Sequence, residues 1–503
     1  MKRIYLSIIA LMFVFVAYSQ TIKEVGGYYY LVSPNGQYYA GAQEGSSAYR
    51  YNFMTNEEDV IDPESDFGFK TNAISNNGVV AGSYSWHAAL WGEGSEYELL
   101  PLPEGLTDAE KATNDAVLIS ADGSQVVVAF NADAPKTYYV YTKNVEGKYD
   151  MAKLPMPEKD PLYGMYAQWF GVRDMSVDGN TLVGFFLTDD GQRQLPMIWR
   201  RVDGVWSYEF FGLDVCLNEG KTIPPYPYDE MRIGEEGDEY LPYEIWEEWT
   251  KAQYDAESGY YYQLRGLSLS GKGRYVALNM GILEPNETYG YVYAAAYDLE
   301  KDTLVVFKDM EDATSLSVND NGEVIVGTPA ADSFRWSHVV SFDAPNKPQS
   351  LTEWVKTRTS GKIDLANYMT YALEEESVVA EGTAYWAKEG AGLVTYMYDV
   401  YGTGAFESFF ILFDVESANR PTYSDSQIGV YPNPTSGMLN LSKAMTNVAI
   451  YDVTGRKVYA QSVVEETIDL SALHAGQYFL VATVDGEHYS TKLLIQKNSK
   501  TSL

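Results

Sequence analysis

The sequence predicts an all-β protein: about seven four-stranded units closed into a β-propeller, followed by a small C-terminal Ig-like β-sandwich. Three observations carry that expectation. A motif of an apolar residue, Ser, any residue, Asp or Asn, and Gly recurs ahead of β-rich runs. A second alternating hairpin with an aromatic residue near a strand end follows most copies. The last segment alternates apolar and polar residues between Gly-containing turns, the pattern of a small sandwich.

The copies are LVSPNGQYYAGA (Leu31 to Ala42), AISNNGVVAGSYS (Ala73 to Ser85), LISADGSQVVVAF (Leu118 to Phe130) and MSVDGNTLVGFF (Met175 to Phe186). LSLSGKGRYVALN (Leu267 to Asn279) and LSVNDNGEVIVGT (Leu316 to Thr328) continue the series. A seventh copy is placed at YALEEESVVAEGTAYW (Tyr371 to Trp386), with Ser377 at the glycine position. Asn-Gly and Asp-Gly between apolar runs mark tight hairpins, whose turns need positive φ. The second hairpins, such as PMIWRRVDGVWSYEFF (Pro196 to Phe211), complete four strands per unit. Turn glycines are spaced 42 residues from Gly36 to Gly78, 45 to Gly123, 56 to Gly179, and 49 from Gly273 to Gly322. Such a period with four strands per unit is that of propeller blades. The pattern resembles the HAF-type and WD40-like repeats, in which a Ser-x-Asp/Asn-Gly-x-x-Val-x-Gly strand precedes a hairpin with Trp. The Trp-Asp dipeptide and partner histidine of true WD40 blades are absent.

The interval of 94 from Gly179 to Gly273 reads as an insertion at about 212–262. It is acidic, with 13 Asp or Glu between Asp214 and Glu257 against Lys221, Arg232 and Lys251. Long insertions in repeat folds lie on one face and often carry function. Within it, YEIWEEWTKAQYDAE reads as a short helix. Trp246 and Trp249 are three apart and share a face. With Tyr243 they are binding candidates, able to stack on a sugar or a partner's aromatic ring. The alternative is that this stripe anchors the helix to its own domain.

The chain starts MKRIYLSIIALMFVFVAYSQ: two basic residues, an apolar core too short for a membrane span, and small residues at Ala17 and Ser19. It reads as a secretory signal, residues 1–19, cleaved before Gln20. The repeat domain then occupies 20–420, a polar linker 421–427, and the C-terminal domain 428–503. One cysteine, Cys216, excludes an internal disulfide, so an exported chain of this kind relies on a large core. The net charge of −34 repels phosphate backbones, which excludes nucleic acid as a partner. No later stretch is long enough to span a bilayer as a helix.

The tail holds YPNPTSG (Tyr431 to Gly437), IYDVTGRKV (Ile450 to Val458), Ile468-Asp469-Leu470-Ser471, Gly476-Gln477-Tyr478-Phe479 and Lys492-Leu493-Leu494-Ile495. This ordered set resembles the type A C-terminal sorting domain of type IX secretion substrates of Bacteroidota. The positions matching the family pattern include Tyr431, Pro432, Asn433, Pro434, Gly437, Gly455, Gly476, Tyr478 and Lys492. The resemblance implies export through Sec and then the outer-membrane type IX translocon. It further implies that a sortase-like peptidase removes the tail and that the cargo is then released or attached to the cell surface.

The cargo offers few groups for catalysis. Its histidines, His87 and His338, each stand near a strand tryptophan, and no HExxH, CxxC, GxSxG or Gly-rich phosphate loop is present. No catalytic residue, metal ligand or cofactor is assigned. Cys216 lies in LDVCLNEG, an acidic context that raises a thiol pKa and blunts its reactivity. SADGS, SVDGN and NDNG resemble pieces of calcium loops but lack the DxDxDG spacing, and hairpin turns account for them. The expected function is a non-enzymatic protein- or glycan-binding module at the cell surface or in the medium. The alternative is a secreted hydrolase or lyase acting on glycans with carboxylates in the propeller pocket.

Overall fold

The computed structural model describes residues 21–26, 29–42, 48–61, 68–92, 96–131, 136–234, 238–264, 267–282, 291–329, 335–365, 370–373, 376–379, 384–389, 392–397, 407–412, 430–431, 435, 437–441, 443–452, 457–464, 467–484 and 487–495. The expected signal segment and the linker lie outside them. The chain divides into two compact units, Met1–Asn419 and Arg420–Leu503.

The described residues of the first unit form six four-stranded antiparallel sheets and one five-stranded sheet, taken below in chain order, besides two two-stranded hairpins. Sheet one is Tyr29–Val32, Tyr38–Ala42, Ala48–Asn52 and Glu57–Ile61, and sheet two Phe69–Ile74, Val80–Tyr84, His87–Trp91 and Tyr97–Leu99. Sheet three is Asn114–Ile119, Gln125–Phe130, Thr137–Lys143 and Tyr149–Lys153. Sheet four is Ala167–Met175, Thr181–Thr188, Gln194–Val202 and Val205–Phe210. In sheet five, Tyr260–Tyr262 and Ser268–Leu269 share the inner edge of Tyr275–Ile282, followed by Tyr291–Asp298 and Thr303–Glu311. Sheet six is Thr314–Val318, Glu323–Pro329, Arg335–Ser341 and Ala344–Ser350. Sheet seven is Ala384–Trp386, Gly392–Met397 and Glu407–Leu412, completed by Thr21–Gly26 from the other end of the unit.

That last pairing, antiparallel from Thr21↔Leu412 to Gly26↔Glu407, clasps the first strand onto the last sheet. It covers an edge that would otherwise present unpaired N–H and C=O groups. The apolar clusters show the same closure, because each bridges neighbouring sheets. Phe69 and Trp91 pack with Ala40 and Ala48 of sheet one, and Val126 and Phe130 with Ala81 and Leu90 of sheet two. At the seam, Tyr385 of sheet seven packs on Tyr39 and Tyr51 of sheet one. A strand covered on both faces has no polar side, so Gln125–Phe130 is buried at every position.

The six Ser-x-Asp/Asn-Gly and related turns place Gly36, Gly78, Gly123, Gly179, Gly273 and Gly322 at φ of 70° to 78°. The seventh unit requires a correction. Tyr371 and Ser377 belong to a separate two-stranded hairpin, Thr370–Leu373 with Glu376–Val379. The inner strand of sheet seven is Ala384–Trp386, and its turn follows at Ala387 to Glu389. That turn has no Ser-x-Asp/Asn, and the serine that stands nearest before it in sequence, Ser377, lies in the separate hairpin.

The second unit packs a three-stranded sheet (Val430–Tyr431, Met438–Leu441, Thr467–Asp469) and a four-stranded one around a single core. The latter runs Lys457–Val464, Met445–Asp452, Gly476–Val484, Glu487–Ile495 in spatial order. Leu439, Ile450, Ile468, Leu480 and Leu493 are fully buried between the sheets.

Candidate functional site: the central channel

The first strands of the seven sheets line a channel of about 530 Å³. At one mouth the motif turns form a chain of hydrogen bonds from sheet to sheet. Glu389 N–H donates to Pro34 C=O (2.7 Å), Asn76 N–H to Ala121 C=O (2.8 Å), Ala121 N–H to Val177 C=O (3.2 Å) and Val177 N–H to Gly271 C=O (2.8 Å). Asn35 N–H donates to Asn76 Oδ1 (2.8 Å) and Lys272 N–H to Asp320 Oδ1 (2.7 Å). The variable residue of the motif is thus the inter-sheet link.

The Ser and Asp/Asn of the motif hold each turn from within. Ser120 Oγ donates to Asp122 Oδ1 (2.7 Å), which also accepts Ser124 N–H (2.9 Å), while Ser120 Oγ accepts Gln125 N–H (2.9 Å). Ser176 and Asp178 repeat the pattern, and Ser33 does so with the amide of Asn35. An acceptor oxygen is what the turn needs, and a charge is optional. Burial pushes the Asp122 and Asp178 carboxyls up, but the combined serine and backbone donors outweigh it and hold both below the usual value.

The turn of sheet seven lies across this mouth. Lys388 Nζ donates to Asp174 Oδ1 and to Met175 C=O of sheet four. Glu389 Oε1 accepts from Asn76 Nδ2 of sheet two (3.0 Å). Asp174 is the one carboxylate lining the channel among the described residues. Besides Lys388, it accepts Leu269 N–H (2.7 Å), Ser268 Oγ–H (3.2 Å) and Met175 N–H (2.8 Å).

The opposite mouth has a different character. Arg173 lines the channel and is exposed. Lys70 is bonded to Asp115 (2.6 Å), whose other oxygen accepts Asn72 Nδ2 (2.6 Å). Lys136 sits over the Trp169 ring at 5.2 Å. Burial, then the charges of Arg173 and Lys70, hold its ammonium below the ordinary lysine value, against the pull of Asp115. At the same end, the turn Ser85-Trp86 joins two strands of sheet two with φ of 47° and 71°. Positive φ is costly for a bulky residue, yet Trp86 adopts it with its side chain 60% exposed. Trp86 C=O accepts Asn114 N–H (2.8 Å), which places this turn beside Asp115.

The insertion candidates separate. On helix α1, Tyr243–Ala256, Trp249 is buried, donates Nε1–H to Pro224 C=O (2.8 Å) and packs edge-on against Tyr226. Tyr243 and Trp246 stay exposed with rings 5.9 Å apart. Cys216 is buried, and its thiol is pushed up to about 12 by burial and then by Glu257 and Asp214. Sequence reasoning missed Trp86, Lys70, Lys136 and Arg173. Only the absence of Gly or Asn in Tyr84-Ser85-Trp86-His87 could have signalled the first.

Of the sorting-motif positions, Pro432, Asn433, Pro434 and Gly455 lie outside the described residues. Tyr431 ends a short strand, and Gly437, at φ 144°, sits where a Cβ would stand 2.9 Å from Ser471 Cα. Thr435 Oγ1 accepts Gly437 N–H (3.0 Å) and donates to Met438 C=O (2.6 Å), which makes the turn after the two prolines. Gly476 opens a long strand, Tyr478 OH donates to His474 C=O (3.0 Å), and Lys492 lies in the last strand.

Residues 429–496 match the family model of the secretion system C-terminal sorting domain. No curated protein matches the chain. Among solved structures, the chain is similar to the Dos1 propeller at 13% identity, covering 83% of this chain and 91% of that one, with a TM-score of 0.38. It is similar to virginiamycin B lyase from Staphylococcus aureus at 10% identity, 77% and 98% coverage, and TM-score 0.35. An ancestral GH74 enzyme matches at 10% identity, 94% and 63% coverage, and TM-score 0.40. Among the described residues, no helix is long and apolar enough to cross a membrane. The sorting tail directs the chain through the type IX secretion system to the cell surface or the medium.

Proposed function

We propose that the propeller is a non-enzymatic binding module that takes a glycan at the channel mouth bearing Trp86 and Arg173. The observation that carries this reading is the state of Asp174. Glycoside hydrolysis uses two carboxyl groups about 5–9 Å apart, one of them free to donate or accept a proton. The described channel lining offers one, already neutralised by Lys388 and bonded by three further donors. A channel of about 530 Å³ is of ligand size, and the exposed Trp86, on the turn bonded to Asn114 beside Asp115, suits a sugar face.

A second reading has one observation in its favour. A surface groove of about 540 Å³ between sheets two and three is lined by Glu96 and Glu98, two carboxylates of the kind a hydrolase uses. The test is to probe the secreted full chain on glycan and peptide arrays and to assay every hit for turnover. The binding reading expects saturable glycan binding, weakened by Trp86→Ala, with the ligand recovered intact. Cleavage lost in Glu96→Gln or Glu98→Gln overturns it in favour of the groove, and peptide hits alone overturn the choice of ligand.

A further inference from the structure

We infer that the mouth opposite the motif turns is an oxyanion site, which takes a carboxylate or sulfate carried on an otherwise neutral sugar chain through Arg173, Lys136 and Lys70. This deepens the glycan-binding reading and rests on it.

The first ground is charge. In a chain of net charge −34, these three cations gather around a single carboxylate, Asp115. Asp115 is already engaged by Lys70 and by Asn72. Lys136 and Arg173 enter no ion pair among the described residues; each instead rests on an aromatic ring, Trp169 at 5.2 Å and Phe185 at 5.0 Å. Lys136 stays there against burial and the neighbouring positive charge, both of which disfavour its ammonium. Three cations around one carboxylate leave an excess of positive charge, and an oxyanion between them relieves that repulsion.

The second ground is hydrogen bonding. The Arg173 guanidinium offers the planar fork that matches carboxylate and sulfate oxygens in pairs.

The charge of the whole chain narrows the ligand further. A dense polyanion is repelled by the surrounding surface, whereas one acidic group among neutral units meets the local cations only within about 8 Å at physiological salt. Trp86, exposed on the turn bonded to Asn114, supplies aromatic surface near the cations for the neighbouring neutral ring.

The experiment is titration calorimetry on the full chain with three probes: an oligosaccharide ending in glucuronate, its neutral methyl ester, and a 6-sulfated analogue. The variants are Arg173→Gln, Lys136→Gln and Asp115→Asn, with the tryptophan emission spectrum and thermal midpoint confirming that each is folded. The charged probes should bind and the ester should bind about tenfold more weakly or worse. Arg173→Gln and Lys136→Gln should each weaken the charged probes by a similar factor, whereas Asp115→Asn should tighten them. Preference between glucuronate and sulfate identifies which oxyanion is the better fit within the same site. Equal binding of ester and acid, or indifference to Arg173→Gln in a folded protein, overturns the inference. If neutral glycans bind and depend on Trp86, the anion site fails while the binding-module reading stands; if no glycan binds, both fail.

Discussion

Replacing Lys388 by methionine removes one charge and keeps most of the stem, so it isolates what the ammonium does across the channel. Lys388 and Asp174 lie 214 residues apart, and their side chains are 21% and 15% exposed. Breaking one partner of a fully buried pair costs about 3–5 kcal/mol, and an exposed pair contributes about 0–1 kcal/mol. At this intermediate burial the cost of Lys388→Met is about 1–3 kcal/mol, most of it from leaving Asp174 without its cation. Asp174→Asn should cost a similar amount, since the amide oxygen still accepts Leu269 N–H. The double variant removes both charges and should lie closer to either single variant than to their sum, with a coupling of about 1–2 kcal/mol. Urea denaturation followed by tryptophan emission reports on the first unit alone, because all 10 tryptophans fall between Trp86 and Trp386. Single-variant costs that add to within about 0.5 kcal/mol would refute the bolt across the mouth.

Three further outcomes are expected. Gly184→Ala would place a Cβ 1.9 Å from Gly171 O, a backbone atom that cannot step aside, so it should cost about 1–3 kcal/mol or more in the same assay. The Asp122 and Asp178 carboxyls sit below their usual value of 3.8 in the folded chain, so their contribution is complete above that pH and is lost as pH falls through the lowered folded values. In about 0.5 M salt, which screens the net charge, stability should fall below about pH 4, and Asp122→Asn with Asp178→Asn should flatten that fall while lowering stability at pH 7 by about the amount that acid removes from the parent. Cys216, 2% exposed and with its thiol pushed up to about 12, should resist iodoacetamide at pH 8 until urea unfolds the unit; rapid labelling of the native chain would contradict its burial.

The repeat architecture was legible because the turn chemistry is local. A hairpin needing positive φ selects Gly, and the Ser and Asp/Asn before it are fixed by bonds within six residues of chain. Sheet seven shows the limit of that signal. Its turn is held by contacts with sheets one, two and four, the last two made by the Glu389 and Lys388 side chains, rather than by side-chain bonds within the turn, and so it carries no motif. The closing strand Thr21–Gly26 was not legible either, since its partner stands at the far end of the unit. On α1, spacing places Trp246 and Trp249 on one face but does not say which of the two the domain covers. The cation cluster draws on three sheets, and nothing local in the sequence brings Lys70, Lys136 and Arg173 together.

Hydrogen–deuterium exchange on the full chain, with and without the tightest glycan found, tests most directly which surface binds. The account predicts protection in Phe69–Ile74, Ser85 to Ala88, Asn114–Ile119 and Ala167–Met175, the segments around the mouth that carries Arg173 and Trp86. Protection confined to the motif turns or to Tyr243–Ala256 would contradict it and move the site to the other mouth or to the insertion helix.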